Sequence, residues 1–582
     1  MSKVQLYDTT LRDGTQKEGV SFSVVDKLNI AQKLDELGIH FIEGGYPGSN
    51  PKDDEFFRKA KTLAFANSVL VAFGNTRRAK VKAEADASLQ ALVNAGVKVA
   101  TIVGKSSDLQ VTRVLKTTLE ENLSMITDSV AYLKSKGLSV IFDAEHFFDG
   151  FKHNPDYSLR CLTAAAEAGA SCLALCDTNG GMLPDEIADA IGAVKKVTSV
   201  PLGIHVHDDS GLAVANSLAS VNAGVTQVQG TINGYGERCG NANLCSIIPN
   251  LKLKMGIDCI TDEQLSKLAD VSHFVNEAAN LAPDTSLPYV GASAFSHKGG
   301  LHVSATMRWN ESYQHIDPSK VGNRQKVVVS ELSGKGNILY KAKELGLDLP
   351  PEGKEAKKLV ERVKLMESRG FQYENAESSF ELLIQRAKPD YQSPFELVDF
   401  MVVVEKRRRA PVKGSLEEIL SEAMVKVRVG KEVMHTVAEG NGPVNALDQA
   451  LRKSLLRFYP SIATVRLVDY KVRILEETVG TGAQVRVLIE STDGVDEWHT
   501  VGGSTNIIEA SWLALADSLE YWLLKQRGGV IEMDEIEVKV TWRFAWALYW
   551  RTLLMGLGIA FVIWLIMLIV VMIVGGPICP LL

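Results

Sequence analysis

The first 230 residues alternate short apolar runs with amphipathic stretches at a spacing of roughly 30 residues, which constrains the fold more than any other feature. The amphipathic stretches, such as Val24–Leu37 and Asp185–Val197, repeat apolar residues at helical spacing. The apolar runs are Val4–Leu6, Ile39–Ile42, Val69–Phe73, Val97–Val103, Leu138–Phe142, Cys172–Cys176, Leu202–Val206 and Val225–Val228. A parallel sheet of eight β/α units closes into a TIM (β/α)8 barrel of about 250 residues. The sequence predicts an α/β fold with this barrel in residues 1–285, and a doubly wound open sheet is the alternative.

Beyond residue 285 the alternation of strand-like and helix-like segments stops. Residues 286–394 are charged and helical in pattern, with a Pro-Pro-Glu-Gly break at 350–353, and we expect a helical linker there. Residues 395–527 contain an internal repeat, in which two strands, a glycine-rich turn and a helix occur twice. The repeat predicts a pseudo-twofold ββα module that binds a small effector at its internal interface. The alternative is that the two halves are similar in structure but bind no effector between them.

The C-terminus carries 23 residues without a charge, Thr552–Val574, enough to cross a hydrocarbon core of about 30 Å. Aromatic residues and two arginines precede it at 542–551, as in an interfacial belt on the cytoplasmic side. Residues 528–582 are therefore predicted to form a juxtamembrane segment and a single transmembrane helix, and a buried core helix is the alternative. Residues 1–8 lack the apolar core of a signal peptide, so we expect the N-terminal part in the cytoplasm, with the tail as its anchor in the inner membrane.

The charge and the cysteine spacing argue against nucleic-acid binding and against a structural zinc knuckle. The 63 Lys and Arg against 70 Asp and Glu give a net charge of −7, and the basic run at 406–409 is too local to attract a phosphate backbone. Nucleic acid is not an expected partner. None of the seven cysteines forms a Cys-x-x-Cys pair, which fits a reducing compartment and argues against a structural zinc knuckle.

Side chains suited to metal binding follow three of the predicted strands. Arg12 and Asp13 come after the first, and a carboxylate beside a permanent cation suits a metal site that also stabilises an oxyanion. His205 and His207 lie two apart on the seventh strand, so both imidazoles share one face. Residues 234–243, after the eighth strand, form a glycine-rich loop with amide oxygens. Mixed carboxylate, imidazole and amide ligands indicate Mg²⁺, Mn²⁺ or Zn²⁺.

Two long segments resemble the signatures of a known family. Leu11–Gln16 followed by Lys27, together with Leu202–Ala215, are similar to both signatures of the α-isopropylmalate, homocitrate and citramalate synthases. The resemblance extends from residue 1 to about residue 527, because the duplicated module resembles the regulatory domain of that family. Residues 6–28 and 42–53 are most similar to its citramalate synthase branch.

The resemblance implies a Claisen-type condensation of acetyl-CoA with a metal-bound 2-keto acid, here pyruvate, followed by thioester hydrolysis. The residues that match the family's metal ligands are Asp13, His205, His207 and Asn241. Arg12 matches the cation that binds the keto acid and stabilises the oxyanion, and Thr178 matches the residue that holds the keto acid's carboxylate. Glu145 matches an acid/base carboxylate, with Asp143 as the competing residue.

A segment after the barrel resembles the part of the family that reaches into a neighbouring subunit's active site. His302 and Tyr313 match its proton-transfer residues, and His297 is the alternative base. The resemblance thus implies a homodimer. It also implies inhibition by an amino acid bound to residues 395–527, which is isoleucine if the product is citramalate.

Three other functions remain open from the sequence. The first is 2-isopropylmalate synthesis by the same chemistry. The second is an aldol-type lyase or carboxyltransferase, although the Met-Lys-Met biotinylation tripeptide of the latter is absent. The third is a membrane-tethered, non-catalytic effector-binding protein. The apolar tail departs from the resembled family, whose members are soluble, and is either a native anchor or a fused segment.

Overall fold

The structure is a computed structural model that describes residues 4–330, 333–344, 354–388, 391–406, 419–475 and 482–534. The chain divides into two compact units, Met1–Glu352 and Gly353–Leu582. Within the described residues, no helix combines the length and the apolar character needed to span a bilayer. The predicted transmembrane segment at 552–574 lies outside the described residues.

The first unit contains a closed parallel barrel whose strands follow chain order, so the predicted TIM barrel is confirmed and the open-sheet alternative is wrong. Its strands are β1 (Gln5–Asp8), β2 (Phe41–Glu43), β3 (Val69–Asn75), β4 (Val99–Lys105), β5 (Ser139–Glu145), β6 (Cys172–Asp177), β7 (Leu202–Val206) and β8 (Gln227–Gly230). The helices of the same region are α1 (Val24–Leu37), α2 (Pro51–Ala60), α3 (Ala87–Asn94), α4 (Leu119–Ser135), α5 (Phe147–His153), α6 (Pro155–Ala168), α7 (Pro184–Val197), α8 (Ala213–Asn222), α9 (Leu244–Pro249), α10 (Asp262–Leu265) and α11 (Leu268–Ala278).

Helix α1 shows how local sequence sets these elements. Ser23 caps its N-terminus in a capping box with Asp26, and Gly38 ends it with φ of 89°, a conformation that favours glycine. The helix buries one apolar face, which includes Ile30 and Leu34, so its observed bounds equal the predicted ones.

Apolar residues fill one end of the barrel and polar residues end the strands. The interior cluster comprises Tyr7, Val71, Val99, Ile141, Cys172 and Ala174. Six strands end in a polar residue at the carboxyl edge, namely Asp8, Glu43, Asn75, Lys105, Glu145 and Asp177. Because active sites of TIM barrels lie at this edge, the polar ends define where a site can form.

The segment after the barrel is helical, as predicted, but also contains a short parallel strand pair. Strands β9 (Ser296–His297) and β10 (Lys326–Val327) form this pair. The accompanying helices are α12 (Gly300–Arg308) and α13 (Lys335–Glu344). Two-residue strands are too short to leave a periodic pattern in the sequence.

The second unit contains two antiparallel three-stranded sheets, each followed by a helix. Its elements are α14 (Lys354–Glu367), α15 (Glu377–Gln385), β11 (Glu396–Lys406), β12 (Ile419–Val429), β13 (Glu432–Gly440), α16 (Pro443–Leu455), β14 (Arg466–Ile474), β15 (Val485–Thr492), β16 (Glu497–Ser504) and α17 (Ile507–Asp534). The predicted duplication of residues 395–527 is present within these elements.

The predicted ββα repeat is wrong in one respect, because each half is βββα. The third strands, β13 and β16, lack a clean alternation of apolar and polar residues, which hid them in the sequence. Gly440, Gly502 and Gly503, which were predicted to form turns, lie in these strands instead, whereas Gly442 precedes α16. Gly502 pairs with Val487, and a Cβ on Gly502 would lie 1.9 Å from the carbonyl oxygen of Ala510 in α17. Glycine therefore serves close packing of helix on strand rather than a ligand-binding turn.

We expect Gly502→Ala to destabilise the second unit by about 1–3 kcal/mol, because backbone of α17 must move to admit the methyl group. The measurement is hydrogen exchange of β15, β16 and α17 peptides in the full chain. Gly442→Ala is the control, since φ of −172° is open to any residue and no atom lies within 4 Å of the added Cβ. Equal protection in both variants would contradict the packing argument.

Candidate active site

A cavity of about 650 Å³ opens at the carboxyl ends of the barrel strands. Six of the sequence-predicted site residues line it: Arg12, Asp13, Glu145, Thr178, His205 and His207. They come from loops or strand ends after β1, β5, β6 and β7, distant segments that barrel closure brings together. The volume lies in the range typical of small-molecule sites.

The ligand atoms of Asp13, His205 and His207 lie within 4.8 Å of one another, and all three residues are buried. Asn241 donates a hydrogen bond from Nδ2 to Asp13 Oδ2 at 2.6 Å. Within the described residues, Asn241 Oδ1 and His207 Nδ1 are buried without a hydrogen-bond partner. Unpartnered buried polar atoms beside a carboxylate and a second imidazole fit a divalent cation such as Mg²⁺, Mn²⁺ or Zn²⁺.

The electrostatics of this cluster suit metal ligation. Burial raises the pKa of Asp13, but Arg12 and His205 outweigh it and hold that pKa well below its usual range. Burial and the neighbouring His205 lower the pKa of His207 to about 4. The carboxylate of Asp13 is therefore ionised near neutral pH, and the imidazole of His207 is neutral with a free lone pair.

Arg12 is held by a buried carboxylate that the sequence analysis did not single out. Its Nε donates to Glu43 Oε1 at 2.5 Å, and the hydroxyl of Tyr7 donates to Glu43 Oε2 at 2.6 Å. The guanidinium lies over the ring of Phe73, 3.8 Å from its centroid. Burial lowers the pKa of Arg12, but Glu43 and Asp13 outweigh that effect and raise it, so the cation is permanent. The sequence feature that could have identified Glu43 is its position at the end of β2.

Thr178 and Glu145 face the same cavity with defined partners. Thr178 Oγ1 accepts a hydrogen bond from the backbone N–H of His146 at 2.8 Å, which leaves its own hydroxyl hydrogen to donate elsewhere. Glu145 forms an ion pair with Lys105 at 2.6 Å. Asp143, the competing carboxyl, also lines the cavity, and burial raises its pKa to about 7.

His302 and Tyr313 are not among the residues that line this cavity. Their rings stack on each other with centroids 4.2 Å apart, and the Tyr313 side chain is about half exposed. His297 lies nearby, with its ring 6.5 Å from that of Tyr313, and its Nε2 is buried with no hydrogen-bond partner in the described residues. The structure thus gathers the three post-barrel residues with one another, and none of them lines the barrel cavity of their own chain.

A closed TIM barrel with two imidazoles, a carboxylate and a guanidinium at a cavity on its carboxyl edge has the arrangement expected of a metal-binding enzyme. Residues 3–275 match the HMGL-like family. Residues 289–370 match the homocitrate synthase post-HMGL domain-like family, and residues 374–523 match the LeuA allosteric (dimerisation) domain.

Relatives with assigned activities align over almost their whole length. An (R)-citramalate synthase of Geobacter sulfurreducens is 54% identical over 90% of this chain and 98% of its own. The (R)-citramalate synthase of Aquifex aeolicus is 53% identical over the same shares. A 2-isopropylmalate synthase of Methanocaldococcus jannaschii is 31% identical over 90% of this chain and 95% of its own. The chain therefore belongs to the (R)-citramalate synthase family, which confirms the family resemblance.

We expect Glu43→Ala to lower the free energy of unfolding by about 3 kcal/mol, because it leaves a buried guanidinium and a buried phenol without their shared acceptor. The measurement is hydrogen exchange of β1–β3 peptides over a urea series. Glu36→Ala, which removes a surface pair with Lys33, is the control and should have little effect. Equal unfolding curves for the two variants would show that the buried pair contributes no more than the surface one.

Proposed function

We propose that this protein is an (R)-citramalate synthase that condenses acetyl-CoA with pyruvate to give citramalate and CoA. The observation that carries the proposal is the triad Asp13, His205 and His207 beside Arg12, in a chain that aligns over 98% of assigned citramalate synthases. Condensation with a keto acid is promoted by a cation at the keto oxygen and by a fixed positive charge where an alkoxide develops. The triad would hold the first, and Arg12 supplies the second.

Asp13, His205, His207 and Asn241 are proposed to hold the divalent cation. When bound, the cation acts as a Lewis acid that polarises the keto group. Arg12 is proposed to bind the keto acid and to stabilise the developing alkoxide. Its Nε is occupied by Glu43, so the remaining guanidinium N–H groups are those available to the substrate.

Thr178 and Glu145 complete the proposed substrate site. Because Thr178 Oγ1 already accepts from the His146 amide, its hydroxyl hydrogen is directed to an acceptor such as the carboxylate of pyruvate. Glu145 lies at the end of β5 and lines the cavity, where it is proposed to act as the acid/base carboxylate.

His302 and Tyr313 are proposed to act in the active site of a second subunit, with His297 as the alternative base. Their absence from the lining of the cavity in their own chain and their mutual stacking support this proposal. A neutral imidazole is a suitable base for removing a methyl proton from acetyl-CoA. The match of residues 374–523 to a dimerisation domain supports an active homodimer.

The proposed division of labour along the chain has four parts. Residues 1–285 form the catalytic barrel, 286–394 the linker, 395–527 the effector-binding domain and 528–582 the apolar tail. The boundary between the two compact units, at Glu352 and Gly353, falls inside the linker. We place the catalytic part in the cytoplasm and propose Thr552–Val574 as its anchor in the inner membrane, on the sequence argument alone.

The test of the substrate is release of CoA thiol by the full chain with acetyl-CoA, a divalent cation and each of three keto acids. We expect kcat/KM for pyruvate to exceed that for 2-ketoisovalerate by at least tenfold, since each extra methylene in a fitted pocket changes discrimination by about 1–3 kcal/mol. 2-Ketoglutarate is the third substrate. A higher value with 2-ketoisovalerate would favour 2-isopropylmalate synthesis, the activity of the 31%-identical relative. No release with any keto acid would contradict the proposed function.

The test of regulation is inhibition of the same reaction by isoleucine, with leucine and valine as matched controls. We propose that isoleucine binds residues 395–527, so inhibition should disappear in a chain ending at Glu352, provided that chain retains activity. Inhibition that persists in the shortened chain would place the effector site in the first unit. The glycine-rich segments give this proposal no support, because Gly440 and Gly502 lie in strands.

A further inference from the structure

Strand β8 carries two buried glutamines whose role the proposed mechanism leaves unassigned. Gln227 and Gln229 are two residues apart, so they lie on the same face of the strand. Gln229 is fully buried and Gln227 is 1% exposed. Buried side-chain amides are costly unless both ends are hydrogen-bonded, so the partners of these amides are informative.

The neighbours of Gln229 fix which way its amide points. Its Nε2 lies 3.0 Å from Asp143 Oδ1 and 3.4 Å from Gln227 Oε1, two acceptor oxygens that require an N–H donor. Its Oε1 therefore faces the other way, where it lies 3.0 Å from Nδ1 of His205. An amide oxygen only accepts hydrogen bonds, so Nδ1 of His205 must carry the hydrogen.

The hydrogen on Nδ1 determines what the other ring nitrogen of His205, Nε2, can bind. With its hydrogen on Nδ1, His205 directs Nε2 towards Asp13, whose Oδ2 lies 3.2 Å away. This places a lone pair and a carboxylate oxygen together where one cation can bind both. Metal-binding histidines depend on such a partner at the second nitrogen, and its loss typically costs about 10–100-fold in metal affinity.

We propose that Gln229 is a positioning residue that fixes the Nδ1–H form and the ring orientation of His205, and so presents Nε2 to the divalent cation. Asp143 and Gln227 in turn hold the Gln229 amide. The inference rests on the metal site proposed above. His207 differs from His205, because its buried Nδ1 has no hydrogen-bond partner among the described residues. Among the described residues, a side-chain amide thus contacts Nδ1 of His205 but not Nδ1 of His207.

The test is binding of Mn²⁺ to the chelator-treated full chain, measured by titration calorimetry. Gln229→Met keeps the length of the side chain and removes the acceptor for Nδ1, so we expect Kd for Mn²⁺ to rise about 10–100-fold. Gln227→Met is the matched control, since it removes only the longer of the two contacts to Gln229, and its Kd should stay within about threefold of wild type. His207→Ala removes a proposed ligand, and its Kd for Mn²⁺ shows how weak binding becomes when the site is lost.

A second variant separates positioning from folding. Asp143→Asn combined with Gln229→Glu exchanges the carboxyl and the amide, so position 229 still accepts from His205 and still bonds to position 143. We expect this double variant to bind Mn²⁺ within about tenfold of wild type, whether or not Gln229→Met folds. If Gln229→Met binds Mn²⁺ as tightly as wild type, or if the exchange variant folds and loses binding as His207→Ala does, the inference is wrong. Absence of Mn²⁺ binding by the wild type would instead overturn the metal site itself.

Discussion

The pairing of β1 with β8 is the contact on which the proposed site depends. These strands pair in parallel from Gln5 with Gln227 to Asp8 with Gly230 and so close the barrel. Closure brings Asp13, just after the first strand, to His205 on the seventh and to Asn241, which is 228 residues away in the sequence. Without this register the carboxylate would face solvent at an open sheet edge, and the cation-binding cluster would not exist.

Closure also concentrates charged groups among buried side chains. Asp13, Glu43 and Asp143 are all buried near the carboxyl edge, and Arg12 is the cation that lies between the first two. Isolated buried carboxylates are strongly destabilising, so the arrangement holds only because each has partners. Glu43 has the guanidinium and a phenol, Asp13 has the guanidinium and an imidazole, and Asp143 has the amide of Gln229. Stability and the proposed substrate binding thus use the same guanidinium.

The sequence predicts those parts of the molecule that local periodicity or spacing encodes. The apolar periodicity of Val24–Leu37 predicts that helix with its observed bounds, and the His-x-His spacing predicts both imidazoles on one strand face. Glu43 and Gln229 were missed because their partners lie 31 and 24 residues away, and no local pattern reports such contacts. Strands β13 and β16 were missed because glycine in a strand resembles glycine in a turn until the helix packed against it is seen.

The distribution of the proposed ligands along the chain has a consequence for synthesis on the ribosome. At roughly 5–20 residues per second, about 10–45 s separate the appearance of Asp13 from that of Asn241. During that interval β1 lacks its second neighbour, and its outer edge offers unpaired amides to other nascent chains. The cation cannot assist the earlier steps, since its ligands are incomplete until the last barrel strand has emerged. Emergence of β8 is therefore the event that seals the edge of β1, and the loop that follows it completes the proposed ligand set.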